Sequence, residues 1–450
     1  MSETAIVNGP WGQTAQPETV PAGTEPKNGL AVEFTGNRAA LFWLALKTGA
    51  LTVLTLGFYR FWMKTRLRRW YWSAIRPGGH PMEYVGDPIE KLLGFFIAVV
   101  ILTFYIGIVN LLLMFVSFSV FNSSVIGYLA SFAGVVPLWF YARYRARRYV
   151  LGRTRWRGVR FGLEKGAWGY ALRALWYWFL TIISLGTLWP RMTFLLEKYR
   201  TDRTYFGSAR LRQGGSWKML LPATWPFVLS LLVLGAALLW TLRLDPVFPE
   251  GIDSGEEIAD ALDILIDGGR VLGTWKTPER LLLIPLALSG MLFGAIWYNW
   301  VSKRIMANHK TAPGVGFASV LSGLRVTLIY VLGNFIAYMT LVMGIVALVL
   351  IAITMFAGDL WFLSGLPGTE TISQLPRWAS LLLLALLYLT FFLLWGVLYN
   401  TFVTFPLMRH IAVTTSLPVS DGLPLISQRS RDAAAEAEGF AEALDLGAAI

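Results

Sequence analysis

The sequence predicts an all-α polytopic membrane protein with six transmembrane helices in three hairpins, two re-entrant or interfacial helical hairpins, and short cytoplasmic β segments. Composition is the first reason. Of the 450 residues, 55% are hydrophobic and only 15% are charged, whereas soluble domains carry about 25% charged residues. The second reason is a series of eight long apolar stretches. The third is the uneven distribution of charge between those stretches.

Residues 1–30 precede the first apolar stretch and are rich in Pro, Gly, Thr and Glu. Such a segment cannot bury enough apolar surface to fold, so we predict a disordered N-terminal arm. The arm is acidic and lacks the basic start of a signal peptide. We therefore expect that it is not a cleaved signal.

The eight apolar stretches approach or exceed the roughly 20 residues that a membrane-spanning helix needs. They lie at 39–57, 92–118, 125–142, 167–189, 220–242, 281–301, 326–357 and 378–405. Together, 27 basic and 6 acidic residues lie in four of the connecting segments, 58–91, 142–166, 190–219 and 302–325. Segment 243–280 instead holds 4 basic and 9 acidic residues. Because Lys and Arg collect in cytoplasmic loops, we place the four basic segments inside and 243–280 outside.

This placement requires stretch 167–189 to enter the membrane and return on the same side. A full crossing there would put the basic segment 190–219 outside, against the distribution expected of Lys and Arg. The Leu185-Gly186 pair supplies a turn for the return. Stretch 39–57 ends in the similar pair Leu56-Gly57, and we predict the same path for it. The alternative for this first stretch is a full crossing with the N terminus outside.

The remaining six stretches then form three hairpins with both termini in the cytoplasm. These hairpins are 92–142, 220–301 and 326–405. The chain divides into a disordered arm at 1–30, a repeat-containing membrane region at 31–219, a second membrane region at 220–426 that includes the acidic outer loop 243–280, and an acidic cytoplasmic tail at 427–450.

A repeated pattern joins an apolar helix, a basic and aromatic helix end, and a short extended segment that closes on an aromatic residue and Gly. Its first copy runs from Leu54 to Gly86 and its second from Ile183 to Gly207. Residues 153–161 alternate Arg with Thr and Trp at a period of two, which is typical of a strand. We therefore expect small cytoplasmic β elements after the basic helix ends.

Several distinctive runs lie in the first 162 residues of the chain. They are Phe34-Thr35-Gly36, Thr55-Leu56-Gly57-Phe58-Tyr59-Arg60-Phe61-Trp62, Arg66-Leu67-Arg68-Arg69-Trp70, Tyr84-Val85-Gly86, Arg147-Arg148-Tyr149, Thr154 and Gly158-Val159-Arg160-Phe161. At these residues the chain resembles the YjgN-like family of bacterial inner-membrane proteins, whose function is unknown. The resemblance covers most of 30–345 and departs at 243–280 and 427–450. It implies an inner-membrane location and supplies no catalytic residue.

Two basic clusters occupy helix ends that precede the predicted β segments. They consist of Arg66, Arg68 and Arg69 and of Arg145, Arg147 and Arg148. The pairs Lys64–Arg68 and Arg143–Arg147 are four residues apart, and the pairs Arg66–Arg69 and Arg145–Arg148 are three residues apart. Each pair therefore lies on one helix face. One interpretation is that they set topology while their long side chains reach the interface. The other is a pocket for anionic lipid headgroups, because basic residues between membrane helices recognise such groups.

Lys47 and Arg173 lie inside the apolar legs of the two predicted re-entrant hairpins. A cation at membrane depth is costly unless it is paired or hydrated, which makes both residues candidates for anion binding. In a shallow hairpin both side chains could instead extend to the cytoplasmic interface. Both interpretations stay open.

Other classes of function lack their characteristic residues. No predicted spanning helix carries Asp or Glu at its centre, where ion-coupled transporters usually need one. The sequence has no Cys, and phosphate-binding loop, zinc-protease and serine-hydrolase motifs are missing. We expect no enzymatic activity, no metal and no cofactor. Nucleic acid is not an expected partner, since the basic residues flank membrane segments and no nucleic-acid-binding motif is present.

The sequence thus favours an integral inner-membrane protein, without enzymatic activity, whose basic and aromatic cytoplasmic face binds anionic lipid headgroups or an acidic partner. The alternative is a transporter or channel for an amphipathic or anionic small molecule, with Lys47 and Arg173 as binding residues. Neither the protein partners nor the oligomeric state follow from the sequence.

Overall fold

The computed structural model of the chain describes residues 29–121, 124–241, 278–356 and 377–429. These residues are mostly helical and also form two antiparallel β-sheets. The predicted disordered arm, most of the acidic loop 243–280 and most of the predicted acidic tail lie outside the described residues.

The first part of the chain is a helical hairpin flanked by strands. Its elements are β1 (Leu30–Phe34), α1 (Arg38–Leu54), α2 (Arg60–Ala74), β2 (Ile75–Pro77), β3 (Met82–Tyr84), α3 (Pro88–Phe104), a π-helical turn (Tyr105–Val109) and α4 (Asn110–Phe121). Asn37 caps α1, since its side-chain oxygen accepts a hydrogen bond from the Ala39 amide at 2.8 Å.

The middle part contains the second helical hairpin. Its elements are α5 (Ser124–Gly152), β4 (Thr154–Trp156), β5 (Val159–Leu163), α6 (Ala167–Ile183), α7 (Trp189–Thr201), β6 (Thr204–Phe206), β7 (Ala209–Arg210) and β8 (Arg212–Gln213). The strand predicted over 153–161 is present as the β4–β5 hairpin. It turns at Arg157 and Gly158, both at positive φ.

The last part alternates long apolar helices with strands. Its elements are a 3₁₀ helix (Trp217–Thr224), α8 (Trp225–Leu239), a 3₁₀ turn (Pro278–Leu282), α9 (Leu283–Ala307), β9 (Lys310–Ala312), β10 (Val315–Ser319), α10 (Gly323–Phe356), α11 (Arg377–Tyr399), a π-helical turn (Asn400–Thr404), α12 (Phe405–Val413), β11 (Thr415–Val419) and a 3₁₀ turn (Leu423–Leu425).

Four segments of the described chain are long and apolar enough to cross a membrane. They are Trp217–Leu239, Arg280–Ala307, Gly323–Gly344 and Thr390–Val413. All four overlap predicted spans, namely the last four of the six. The first predicted hairpin, 92–142, falls on α3 to α5 and is not among these segments, although the shorter apolar segment Gly107–Val120 lies there. These four helices agree with the predicted membrane location, and six crossings stay a prediction.

Both predicted re-entrant stretches form helical hairpins with the same turn. Leu56 and Gly57 adopt φ of 50° and 95°, while Leu185 and Gly186 adopt 51° and 85°. In each turn the Gly amide donates to the carbonyl five residues earlier, at 2.7 Å in the first hairpin and 2.8 Å in the second. This pattern satisfies a carbonyl at the end of the preceding helix. The glycine is required because its φ is left-handed.

Small residues allow two helix pairs to approach closely. Gly49 of α1 lies against Leu393 of α11, and a Cβ at this position would come within 2.7 Å of that side chain. Gly294 of α9 lies against the backbone of Phe227 in α8, where a Cβ would come within 2.6 Å. Such contacts replace the hydrophobic driving force that is weak between helices in lipid.

Eleven strands in the described residues form two sheets. The all-α class predicted from the sequence is therefore wrong in this respect, although most described residues are helical. The six-stranded sheet has the order β2-β1-β11-β10-β9-β8, and the five-stranded sheet has the order β3-β4-β5-β6-β7. All strand pairs are antiparallel, and β1 pairs with β11 through Leu30↔Leu417. Pairing between strands so distant in sequence leaves no local signal, which is why the sequence indicated only short separate β elements.

The two sheets adjoin at both edges and share an apolar core. Their edge strands β2 and β3 follow each other along the chain, as do β7 and β8. The core contains Trp156 and Phe206 from the five-stranded sheet and Val315 and Leu417 from the six-stranded sheet.

Candidate functional site

The basic helix ends α2, α5 and α7 each lead directly into strands of the five- or six-stranded sheet. Their cations therefore lie where the helices meet the sheets. The eight residues selected from the sequence fall into three groups: residues that contact neighbouring elements, one member of an ion-pair cluster, and exposed residues.

Two arginines of the first basic cluster contact the segment from β3 to α3. Arg68 is 6% exposed and donates to the Tyr84 hydroxyl at 3.3 Å. Its guanidinium also lies over the Tyr84 ring at 5.1 Å, a favourable cation–π geometry. Arg69 is more exposed and donates to the Gly86 carbonyl at 2.9 Å. These contacts join α2 to the strand that follows it.

Two arginines of the second cluster contact their own helix and β5. Arg148 is 8% exposed and donates from Nε to the Leu163 carbonyl at 3.0 Å. Arg145 donates to the Tyr141 hydroxyl at 3.1 Å. Arg148 thus joins α5 to the last residue of β5.

Arg147 belongs to an ion-pair cluster around Glu197, which the sequence did not single out. Glu197 is 9% exposed. Its carboxylate accepts from Arg200 at 2.6 Å and from Lys310 at 2.7 Å, and Arg147 lies 3.9 Å away. These residues come from α5, α7 and β9. The cluster therefore joins helices α5 and α7 to strand β9 of the six-stranded sheet.

The electrostatics of this cluster favour an ionised carboxylate. Burial raises the pKa of Glu197, but Lys310, Arg200 and Arg147 outweigh it and hold that pKa well below the ordinary value. Because three cations surround one carboxylate, the cluster keeps an excess of positive charge.

Three other candidates are exposed. Lys47 lies on an exposed face of α1, and Arg66 lies over the Tyr59 ring at 5.7 Å. Arg173 donates to the Gly169 carbonyl at 3.0 Å and lies over the Tyr199 ring at 4.8 Å. The described contacts bring neither Lys47 nor Arg173 into one of the basic clusters.

A concentration of cations surrounds a cavity that lies where α5 meets the five-stranded sheet. This cavity has a volume of about 440 Å³ and is called the basic groove here. Its cationic lining residues are Arg148, Arg153, Arg160, Lys165 and Arg429. Glu164 is the carboxylate among the lining residues, so positive charge predominates.

Neighbouring contacts position several of these side chains. Arg153 pairs with Glu90 at 2.7 Å. Glu164 accepts from the Tyr205 hydroxyl and lies 3.4 Å from Arg210. Arg429 lies over the Tyr205 ring at 4.6 Å. Lys165 is exposed at the mouth of the groove. An anion in the groove would therefore meet cations from α5, β5 and the chain after β11.

Of the groove residues, only Arg148 was selected from the sequence as a candidate for anion binding. The alternation over 153–161 predicted a strand, and Arg153 and Arg160 lie in that range, which was a usable signal. Arg429 carried no such signal, because only tertiary packing brings it to Tyr205. Residues Ser427 and Gln428 hold it there through hydrogen bonds to Ser208 and Arg160.

Within the ranges that the structure describes, no group of three or more His, Asp or Glu side chains could hold a metal ion. The arrangement can bind an anion by charge and hydrogen bonding.

Comparison with known protein families identifies this chain. A model of the family described as bacterial protein of unknown function, DUF898, matches residues 29–346. Neither the curated proteins nor the solved structures include a significant match to this chain. The family match spans the two helical hairpins, the five-stranded sheet and most of the basic groove. This chain belongs to the DUF898 family, the YjgN-like bacterial proteins that the sequence motifs indicated.

Proposed function

We propose that this protein is a non-enzymatic, multi-pass inner-membrane protein that binds an anionic lipid headgroup in the basic groove on its cytoplasmic side. The observation that carries the proposal is the groove itself: about 440 Å³ lined by five cations and one carboxylate. Basic pockets beside membrane helices recognise such headgroups.

The exposed hairpin turns support a membrane-facing arrangement. Leu185 is 90% exposed and Leu56 is 63% exposed, although both hold a left-handed backbone conformation. Such backbone strain in a non-Gly residue costs about 1–2 kcal/mol. Exposed apolar side chains at both turns fit insertion into the bilayer, which places the basic helix ends and the groove near the headgroups.

Native mass spectrometry of the protein from nanodiscs with equal phosphatidylglycerol and phosphatidylcholine tests headgroup binding. We expect the wild-type protein to retain phosphatidylglycerol selectively. The double variant Lys165→Gln and Arg429→Gln should reduce this retention, since it removes two exposed groove cations. The matched control Arg191→Gln removes an exposed charge of α7 outside the groove. Equal retention by all three proteins would refute the proposal.

An acidic protein partner is the other anion that this face could bind. The protein partner would be favoured if the groove variant retained phosphatidylglycerol as well as the wild type does but no longer bound an acidic peptide. High salt weakens exposed charge interactions. Each comparison therefore needs the same ionic strength.

Cysteine labelling tests the proposed topology. Single cysteines at Ser2, Ser208 and Ser254 would be exposed to an impermeant maleimide in intact cells. Labelling at Ser254 alone would support six crossings, two re-entrant hairpins and cytoplasmic termini. Labelling at Ser208, which is exposed between β6 and β7, would mean that 167–189 crosses the membrane.

A transporter or channel for an amphipathic or anionic molecule is the second candidate. The observation in its favour is that Lys47 and Arg173 are exposed on otherwise apolar hairpin legs. Reconstituted protein should then pass such a solute, and Lys47→Met with Arg173→Met should abolish passage. Two intramembrane amides fit this function less well, because Asn334 and Asn400 donate to their own helices at 2.7 and 2.8 Å.

A further inference from the structure

A second cavity lies between the two sheets, and its walls are almost entirely apolar. Its volume is about 240 Å³. Trp156 and Phe206 line it from the five-stranded sheet, and Val315 and Leu417 line it from the six-stranded sheet. It is called the apolar cavity here. Because protein interiors are close-packed, with few voids larger than a water molecule, a space of this size is unusual.

The inner faces of the two sheets form the walls of the apolar cavity. Val315 and Phe317 of β10 line it, and so do Thr415 and Leu417 of β11. Successive side chains of a strand point to opposite faces of a sheet, so these alternate residues share one face. Packed sheets normally fill the space between them with interdigitating side chains. Here the facing side chains leave room for a further molecule.

The apolar cavity and the basic groove lie on opposite faces of the β5–β6 pair. Phe161 pairs with Phe206, and both residues line the apolar cavity. Their neighbours Arg160 and Tyr205 line the groove. Because adjacent residues of a strand point to opposite faces, the sheet separates the two spaces. A ligand of the apolar cavity is therefore recognised without the groove cations.

The walls of the apolar cavity offer little that would hold water. Among the residues that line it, only Trp156 and Thr415 have a side-chain nitrogen or oxygen. The indole nitrogen of Trp156 is buried, and the Thr415 hydroxyl donates to the Ile411 carbonyl at 2.7 Å. A buried water molecule needs two to four polar partners. The cavity therefore favours an apolar occupant over water.

The size and the rings of the apolar cavity indicate which apolar molecules fit. An engineered apolar cavity of about 150 Å³ binds benzene, so a volume of about 240 Å³ accommodates roughly ten carbon atoms in proportion. Four aromatic side chains line the cavity, namely Trp156, Phe161, Phe206 and Phe317. Aromatic rings attract one another in offset-stacked and edge-to-face arrangements. A compact aromatic hydrocarbon is therefore a suitable probe.

We infer that the apolar cavity is a binding site for one compact, uncharged hydrocarbon group of roughly ten carbon atoms. Burial of apolar surface supplies the affinity. Met408, Ile411 and Ala412 of α12 line the cavity and lie in Thr390–Val413, a segment that can cross a membrane. Apolar molecules dissolved in a membrane would thus be close to the site. The site is independent of the basic groove and of the function proposed for that groove.

Binding of benzene, naphthalene and pyrene to the full-length protein in an amphipathic polymer tests the site. Equilibrium dialysis, with the polymer alone as the blank, gives the amount bound at each free concentration. We expect naphthalene to saturate one site and to bind at least about tenfold more tightly than benzene, because it buries more apolar surface. Pyrene exceeds the cavity and should bind more weakly than naphthalene. Affinity that rises steadily from benzene to pyrene, as partitioning does, would overturn the inference.

Two variants narrow the apolar cavity from different walls. Ala412→Leu does so from α12 and Ala312→Leu from β9, so one remains informative if the other does not fold. We expect each to weaken naphthalene binding at least about tenfold, because the leucine occupies the space of roughly three carbon atoms. The matched control Ala31→Leu makes the same change at an exposed position of β1 and should bind like the wild type. Unchanged naphthalene binding by a folded cavity variant would overturn the inference.

A free apolar molecule and a lipid acyl chain offer the same hydrocarbon chemistry. Competition between naphthalene and dioctanoyl phosphatidylcholine distinguishes these sources. Displacement of naphthalene from the wild type, but not from the polymer, would support an acyl chain as the occupant. Binding of naphthalene that the lipid does not affect would support a free molecule.

The groove variant, Lys165→Gln with Arg429→Gln, tests the separation of the two sites. It should bind naphthalene as tightly as the wild type does, because its substitutions lie on the other face of the sheet. Loss of naphthalene binding from this variant would overturn the inference of an independent site. Loss of phosphatidylglycerol selectivity with naphthalene binding intact would support both sites.

Discussion

The two helical hairpins, α1–α2 and α6–α7, share a turn but differ in charge at the same buried position. Arg68 and Glu197 are each the eleventh residue after the turn glycine, Gly57 or Gly186. Both side chains are buried, at 6% and 9% exposure. The arginine packs on aromatic rings, whereas the glutamate gathers three cations.

This difference shows that the conformation of the turn does not determine which charge occupies the buried position eleven residues later. Matching backbone hydrogen bonds define the turn in both hairpins, and these depend on Leu-Gly rather than on the later charge. What lies against the helix end decides how a buried charge is stabilised. In the first hairpin this is Tyr84 of β3, and in the second it is Lys310 of β9.

The largest effect is expected from Glu197→Gln. Without its carboxylate, Arg147, Arg200 and Lys310 repel one another, and we expect roughly 3 kcal/mol loss of stability. The matched control Glu164→Gln changes a more exposed carboxylate and should cost less than about 1 kcal/mol. Thermal unfolding in one detergent measures both variants. Equal losses of stability in the two variants would show that the burial of Glu197 does not determine how much its carboxylate stabilises the protein.

The stabilisation from Glu197 should depend on pH in one direction. Its pKa is lowered in the folded protein, so the stabilisation is fully present above the ordinary value of 4.5 and is lost as pH falls through the lower folded value. The difference in melting temperature between the wild type and Glu197→Gln should be constant from pH 7 to about pH 5. It should shrink at lower pH. A difference that shrinks already between pH 7 and 6 would contradict the ion-pair cluster.

The turn glycines should give equal effects in both hairpins. Gly57→Ala and Gly186→Ala place a Cβ where no heavy atom lies within 4 Å, so only the left-handed backbone opposes them. We expect each to cost about 1–2 kcal/mol. Unfolding of the two variants under identical conditions tests this equality. A large cost for one alone would mean that the two turns are not equivalent in solution.

The smallest effect is expected from Arg68→Met. Methionine keeps the packing on Trp72 and Tyr84 but removes the cation–π contact and the 3.3 Å hydrogen bond to the Tyr84 hydroxyl, at a cost of about 1 kcal/mol. Comparison with Glu197→Gln by the same unfolding assay then sharpens the contrast between the hairpins. A loss as large as that of Glu197→Gln would show that both buried charges are held in equivalent ways.

Much of the local architecture could be predicted from the sequence. The helical hairpins at Leu56-Gly57 and Leu185-Gly186, the strand near 153–161 and four of the long apolar helices follow from periodicity and turn chemistry, which act over a few residues. The candidate site was harder to predict from the sequence. Arg148 was identified, but Arg429 joins the groove across a distance in sequence that no local pattern spans.

The sequence by itself determined membership of the DUF898 family and a series of helices apolar enough to cross a membrane, with basic helix ends that are followed by short strands. Only the tertiary structure decided that these strands join into two sheets around an apolar cavity. It also decided which cations are buried, paired or exposed. The physical reason is that hydropathy and turns are properties of neighbouring residues, whereas strand pairing such as β1 with β11 and charge pairing such as Glu197 with Lys310 depend on contacts between distant parts of the chain.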